Sequence, residues 1–87
     1  MLVHPRLLKS ARIALDISQD ELSSSAGVSR RSLVKLESCA QETTFKTIQA
    51  VQRALEAYGV LFLGEDGSIG SGFRLPPGYL KLNEDGA

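Results

Sequence analysis

The stretch SQDELSSSAGVSRRSLVKLE, which runs from Ser18 to Glu37, decides the fold of this chain. Ser18 and Glu21 have the spacing of a capping box, which predicts that a helix begins there. Gly27 predicts the end of that helix, because glycine adopts the left-handed conformation without strain. Ser29 predicts the cap of the next helix. The turn between the two helices is so short that we expect them to cross steeply, with the second one protruding.

The second of these helices has one apolar face and one charged face. Leu33 and Leu36 mark the side that we expect to be buried. The residues left outside share one helical face, and they are Arg30, Arg31, Val34 and Lys35. Cations on a protruding helix suit the major groove of DNA, because arginine bonds guanine O6 and N7 together and lysine does so more loosely. The alternative interpretation is an ordinary helical hairpin with a solvated charged face.

The motif also resembles a known family. Its pattern is Ser18-Gln19-x-Glu21-Leu22-x₃-Ala26-Gly27-Val28-Ser29-Arg30-Arg31-Ser32-Leu33-x₂-Leu36-Glu37. This pattern is similar to that of the Xre group, the helix-turn-helix proteins akin to phage Cro and the lambdoid repressors. The resemblance extends over about residues 7–58 and implies a four-helix DNA-binding domain.

The resemblance implies roles for individual residues. Gln19 matches a glutamine that contacts backbone phosphate and braces the recognition helix, and Ser29 matches a cap that also touches phosphate or a base. Arg12 and Glu37 match a partly buried ion pair that ties the first helix to the third. The expected base-reading set is Arg30, Arg31, Val34 and Lys35. The expected phosphate-binding set is Ser18, Gln19, Ser29, Ser32 and Lys46.

The chain departs from the family pattern at three positions. Ser23 stands where the family usually has alanine, and it is small enough to preserve the close helix crossing. Cys39 stands near a usual glycine and Thr43 near a usual proline. We therefore expect the loop after the recognition helix to differ in shape from the family's loop.

The composition bounds the remaining possibilities. The 87 residues suffice for one small domain with zero net charge, but residues 1–37 carry six basic against four acidic groups and residues 38–87 carry the reverse. With one cysteine and one histidine, we expect no internal disulfide, no metal site, no cofactor and no catalysis. The N-terminus is unlike a signal peptide and no apolar run approaches a membrane span, so we expect a cytoplasmic protein with no membrane contact and no small-molecule ligand.

The rest of the chain completes a mainly α fold: four helices in a lambda-repressor-like helix-turn-helix domain, then a two-stranded β-hairpin. Residues 1–58 form the helical domain, 59–78 the hairpin and 79–87 a tail expected to be flexible. The first helix is predicted from Pro5 to Asp16. Thr43 or Thr44 caps the fourth helix, whose apolar stripe is Phe45, Ile48, Val51, Ala54 and Leu55.

The apolar residues of the predicted hairpin indicate that the chain forms a homodimer. Its first strand is apolar on both faces, so one face packs on the fourth helix and the other is left for a partner. We expect a homodimer through Val60, Leu61, Phe62, Leu63, Phe73 and Leu75. The alternative is a hairpin folded fully onto its own domain.

These observations together favour a transcriptional regulator, a repressor, that binds double-stranded DNA as a dimer. Two other hypotheses remain open at this point. One is an antitoxin whose hairpin also binds a toxin, and the other is a protein interaction module that does not bind DNA.

Overall fold

The computed structural model of the chain describes residues 2–40 and 42–80. The helices are α1 (Pro5–Ala14), α2 (Gln19–Ala26), α3 (Arg30–Glu37) and α4 (Phe45–Ala57), and the strands are β1 (Leu61–Leu63) and β2 (Gly72–Arg74). The strands form an antiparallel sheet in which Phe62 pairs with Phe73. This architecture confirms the expected mainly α fold with a C-terminal hairpin, although α1 ends two residues before Asp16.

Each helix begins at a side chain that accepts a hydrogen bond from its first turn. The capping residues are His4, Ser18, Ser29 and Thr44. Thr44, and not Thr43, therefore caps α4. The capping box predicted at Ser18 is half formed: Ser18 Oγ accepts from the Glu21 amide at 3.0 Å, but the Glu21 carboxylate turns toward the hydroxyl of Tyr58, 3.4 Å away.

Each of the four helices is followed, one or two residues after its last residue, by a residue of positive φ. These residues are Asp16, Gly27, Cys39 and Gly59. At the end of α3, the amide of Cys39 bonds the carbonyl of Leu36 at 2.9 Å and the amide of Ala40 bonds that of Lys35 at 3.0 Å, which is the Schellman pattern. Cys39 adopts this conformation, at φ 59°, where glycine would be unstrained.

The core lies where the inner faces of the four helices meet. Its fully buried side chains are Leu8, Ala11, Leu15, Leu22, Leu33, Leu36, Val51 and Leu55. The N-terminal segment joins this core through Val3, whose amide donates to Gln52 Oε1 at 3.1 Å. Phe45, predicted on the apolar stripe of α4, is 61% exposed. That prediction was wrong because Phe45 is the first residue of α4, one turn before Ile48, which does pack on the core.

The hairpin is folded onto the helices by one face. Val60 and Phe62 are buried in the core, and the Phe73 ring meets that of Phe62 edge-on with centroids 6.2 Å apart. Leu61 and Leu63 point outward. Because Val60 and Phe62 are covered by their own chain, they have almost no surface left for a partner, and the predicted interface narrows to the outer face of β1.

The segments around the hairpin are also held in place. In the loop between the strands, hydrogen bonds to Asp66 from the amide of Ser68, then from that of Ile69, hold the pKa of this carboxyl below its ordinary value. After β2, the Tyr79 hydroxyl donates to the carbonyl of Leu15. The remainder of the predicted tail, residues 81–87, lies outside the described residues. No helix in the described ranges is both long and apolar enough to cross a membrane.

An ion pair joins the last turn of α1 to the end of α3. Arg12 of α1 donates from Nε and Nη2 to the Glu37 carboxylate at 2.6 and 3.0 Å, and from Nη1 to the carbonyl of Ile17 at 2.9 Å. The exposed fractions of the two side chains are 13% for Arg12 and 4% for Glu37. The last residue of α3 is thus tied to α1 by a bidentate pair that is largely out of water.

We expect Glu37→Gln to lower the free energy of unfolding by about 3 kcal/mol, because it leaves the Arg12 guanidinium buried without a counter-charge. Urea denaturation of the purified protein measures this loss. Glu65→Gln makes the same chemical change at an exposed loop position and is the matched control. Equal unfolding midpoints for the two variants would contradict the prediction.

We expect Cys39→Gly to raise the free energy of unfolding by about 0.5–1 kcal/mol, because it removes left-handed strain but adds freedom to the unfolded chain. Cys39→Ser keeps the Cβ atom and so should give no increase. The same denaturation experiment compares the two, and a gain in the serine variant as large as in the glycine variant would refute the explanation by strain.

Candidate nucleic-acid interface

The helices α2 and α3 form a helix pair with a tight turn. Gly27, at φ 72°, ends α2, and the amide of Val28 bonds back to the carbonyl of Ser23 at 3.1 Å. Ser29 then begins α3 by accepting from the Ser32 amide at 3.0 Å. Ser23 is itself buried, which agrees with the expectation that a small residue is needed at this crossing.

The outer face of α3 is free of contacts with the core. Leu33 and Leu36 are fully buried, whereas Arg30, Arg31, Val34 and Lys35 are all exposed. We call these four exposed residues the α3 face. The structure therefore presents three cations and one methyl-bearing side chain on a single accessible surface, which matches the requirements for reading base edges.

An acidic residue on α2 adjoins the α3 face, and sequence reasoning missed it. Asp20, in the first turn of α2, forms an ion pair with Arg30 in which Oδ1 and Nε are 3.3 Å apart. The two residues are ten positions apart in the chain, so no periodicity of the sequence signals the contact. It depends on how α2 and α3 cross.

Gln19 lies at the junction of three helices. Its Nε2 donates to Glu37 Oε1 at 3.0 Å, on the carboxylate that Arg12 also binds. This contact connects the first residue of α2 to the last residue of α3, so Gln19 braces α3. Gln19 is half-buried, and its expected contact with phosphate stays a prediction.

The three serines of the expected phosphate-binding set are at helix starts. Ser18 and Ser29 are exposed N-caps of α2 and α3. Ser29 also donates its hydroxyl proton to Ser32 Oγ at 2.9 Å. The two caps place polar side chains at helix ends whose amide groups carry partial positive charge.

A small polar cleft separates α3 from the start of α4. Its lining residues are Ser32, Lys35, Glu42, Thr43, Thr44 and Thr47. Thr43 Oγ1 is buried and, in the described part of the chain, has no hydrogen-bond partner. The threonines were not predicted as site residues. The only feature of the sequence that could have drawn attention to them was the position of Thr44 as a helix cap. Lys46, which was predicted, is exposed in the first turn of α4.

A metal site needs several ligands close together. Within residues 2–40 and 42–80, no group of three or more His, Cys, Asp or Glu residues could hold a metal ion. Cys39 is an exposed free thiol at the end of α3. The polar groups that converge are those of the α3 face and its margins.

Comparison with known proteins identifies the family. No curated protein matches the chain, and no solved structure matches it either. A family model described as helix-turn-helix (HTH_3) matches residues 8–60, which is more than half of the chain and includes α2, α3 and α4. The chain therefore belongs to the Xre/Cro-like helix-turn-helix family of DNA-binding regulators.

Proposed function

We propose that this protein is a cytoplasmic, non-enzymatic repressor that binds a near-palindromic DNA operator as a homodimer, with α3 in the major groove. The observation that carries the proposal is the α3 face, whose three cations are exposed while the opposite side of the same helix is fully buried. A helix anchored by one side and cationic on the other fits the docking geometry of this family.

The α3 face supplies the base contacts in this proposal. Arg30 and Arg31 lie at the N-terminal end of α3, the end that approaches base edges in helix-turn-helix complexes. Each has a guanidinium fork suited to guanine O6 and N7. Val34, 42% exposed, can meet a thymine methyl group, and Lys35 can reach a base from the next turn.

Phosphate contacts flank the base contacts. We assign them to Ser18, Gln19, Ser29, Ser32 and Lys46. The exposed cap Ser29 and the amide groups behind it favour an anion at the start of α3, whose first turn has no acidic residue. The cleft beside α4 adds the exposed side chain of Lys35, which can bond a phosphate oxygen.

The dimer in this proposal uses the outer face of β1. Leu61 and Leu63 are 57% and 38% exposed on adjacent positions of that face. Leu63 also lines a concavity with Leu2 of the N-terminal segment, so the apolar surface extends beyond the strand. Two copies joined here would read half-sites whose centres are about 34–36 Å apart, or a multiple of that distance.

The same apolar surface favours a second candidate function. A toxin or another protein could cover Leu61 and Leu63 in place of a second copy, in which case the protein would be an antitoxin that also binds DNA. The size of the free protein in solution distinguishes these possibilities, because only the homodimer forms without a partner.

Selection of duplexes from a random library by the purified protein tests the main proposal. We expect one sequence to be enriched, with an affinity that falls steeply as salt rises. Recovery of random sequences at low salt would overturn the proposal.

We expect Arg31→Ala to weaken binding to the selected duplex by about 1–3 kcal/mol and to relax the preference at the base that Arg31 reads. Arg53→Ala removes an equal charge from an exposed position on α4 and serves as the control. Repeating the selection with both variants measures the effect. A selected sequence that stays unchanged in Arg31→Ala would remove Arg31 from the readout.

We expect Leu61→Glu to convert the dimer to a monomer without unfolding it, because Leu61 is exposed and a glutamate there faces Arg74 across the strand pair. Multi-angle light scattering gives the mass. Ile13→Glu, at a residue of α1 with the same 57% exposure, is the matched control and should stay dimeric. A wild-type protein that is already monomeric would rule out this interface.

A further inference from the structure

Asp20, which forms an ion pair with Arg30, is in an unusual position for an acidic residue. Asp20 lies beside a surface that we propose meets a polyanion, and a carboxylate there repels phosphate. The side chains of Arg30 and Asp20 are 64% and 76% exposed, respectively. Because an exposed pair contributes little to folding, the main effect of Asp20 falls on the position and the charge of Arg30.

The point of attachment on Arg30 leaves its recognition groups available. A guanidinium has one N–H on Nε and four on the two terminal nitrogens. The Asp20 carboxylate approaches Nε, at 3.3 Å. With Nε engaged by Asp20, the two terminal nitrogens remain free to span guanine O6 and N7.

Asp20 is itself attached to a fixed support. It follows Gln19, whose side chain bonds the buried Glu37 carboxylate. It also lies in the first turn of α2, where its own carbonyl accepts from Ser23 Oγ at 3.0 Å. The carboxylate that holds Arg30 is therefore on a helix start that is braced against α3.

We infer that Asp20 is a positioning residue that determines the specificity of DNA binding by holding Arg30 at Nε and directing its terminal nitrogens to a guanine. The inference rests on the proposed function. Without Asp20, the long arginine side chain is free to turn to the DNA backbone, and such a contact carries no sequence information. Asp20 thus increases the ratio of specific to non-specific affinity, chiefly by lowering the affinity for DNA of random sequence.

The variant Asp20→Asn tests this inference, because it removes the charge and keeps the shape. Affinities are measured on three duplexes over a range of salt: the selected sequence, a random sequence, and the selected sequence with the guanine read by Arg30 replaced. Selection with Arg30→Ala identifies that guanine.

In Asp20→Asn we expect discrimination against the replaced guanine to fall by roughly fivefold or more, the lower end of what one bidentate contact provides. Affinity for the random duplex should rise. Its logarithmic salt dependence should steepen by about 0.9, because Arg30 gains one phosphate contact. Thermal unfolding should be nearly unchanged, which separates the effect from a loss of structure.

Two further variants isolate the mechanism. Asp16→Asn makes the same charge change at the end of α1, where asparagine tolerates the left-handed backbone, and should leave base discrimination intact. In an Arg30→Ala background, Asp20→Asn should no longer alter the preference at that base, because Asp20 acts through Arg30.

Unchanged base discrimination in Asp20→Asn would overturn the inference, and so would an equal loss in Asp16→Asn or a persistent effect in the Arg30→Ala background. If the wild-type protein selects no DNA sequence, the proposed function fails and the inference fails with it. If the wild-type protein and Asp20→Asn both select the same DNA sequence with equal discrimination, the inference fails but the proposed function stands.

Discussion

The buried carboxylate of Glu37 is the contact on which the arrangement of the helices depends. It receives two hydrogen bonds from Arg12 and one from Gln19, so the last turn of α1, the start of α2 and the end of α3 meet at one group. A charge held out of water is tolerated only when its partners are in place. The crossing of these helices therefore has little freedom, and the outer side of α3 is held in one orientation.

The exposure of the α3 face, the surface proposed to bind DNA, is a consequence of this anchoring. Leucines fill the inner side of α3 while its cations stay in water. The positive charge available to a polyanion is therefore concentrated on the α3 face, although the chain as a whole has zero net charge. The margins of this surface carry charges of both signs: Asp20 adjoins Arg30, and Glu42 lines the same cleft as Lys35. If the α3 face binds DNA as proposed, acidic groups beside its cations lower non-specific attraction to DNA and leave more of the binding energy to base contacts.

Local signals in the sequence predicted the helices well. Ser18 and Ser29 marked the starts of α2 and α3, and Thr43 or Thr44 that of α4, because a cap needs only a side chain and an amide two or three residues later. The same reasoning failed where burial depends on what lies opposite. Phe45 fits the apolar stripe of α4 but extends past the core, and Val60 and Phe62 face the helices of their own chain and not a partner.

The sequence by itself determined the four helices, the tight turn at Gly27, the hairpin and the cations of the α3 face, since each follows from patterns within one or two turns of chain. The family resemblance added the pair of Arg12 and Glu37. Only the tertiary structure decided that Asp20 reaches Arg30, that the hydroxyl oxygen of Thr43 is buried in the cleft that Lys35 also lines, and that β1 leaves just Leu61 and Leu63 outside. These contacts join residues on different elements, so they are set by helix crossing and packing, which no local pattern encodes. The basic helix after Gly27 thus keeps its predicted place but acquires an acidic neighbour.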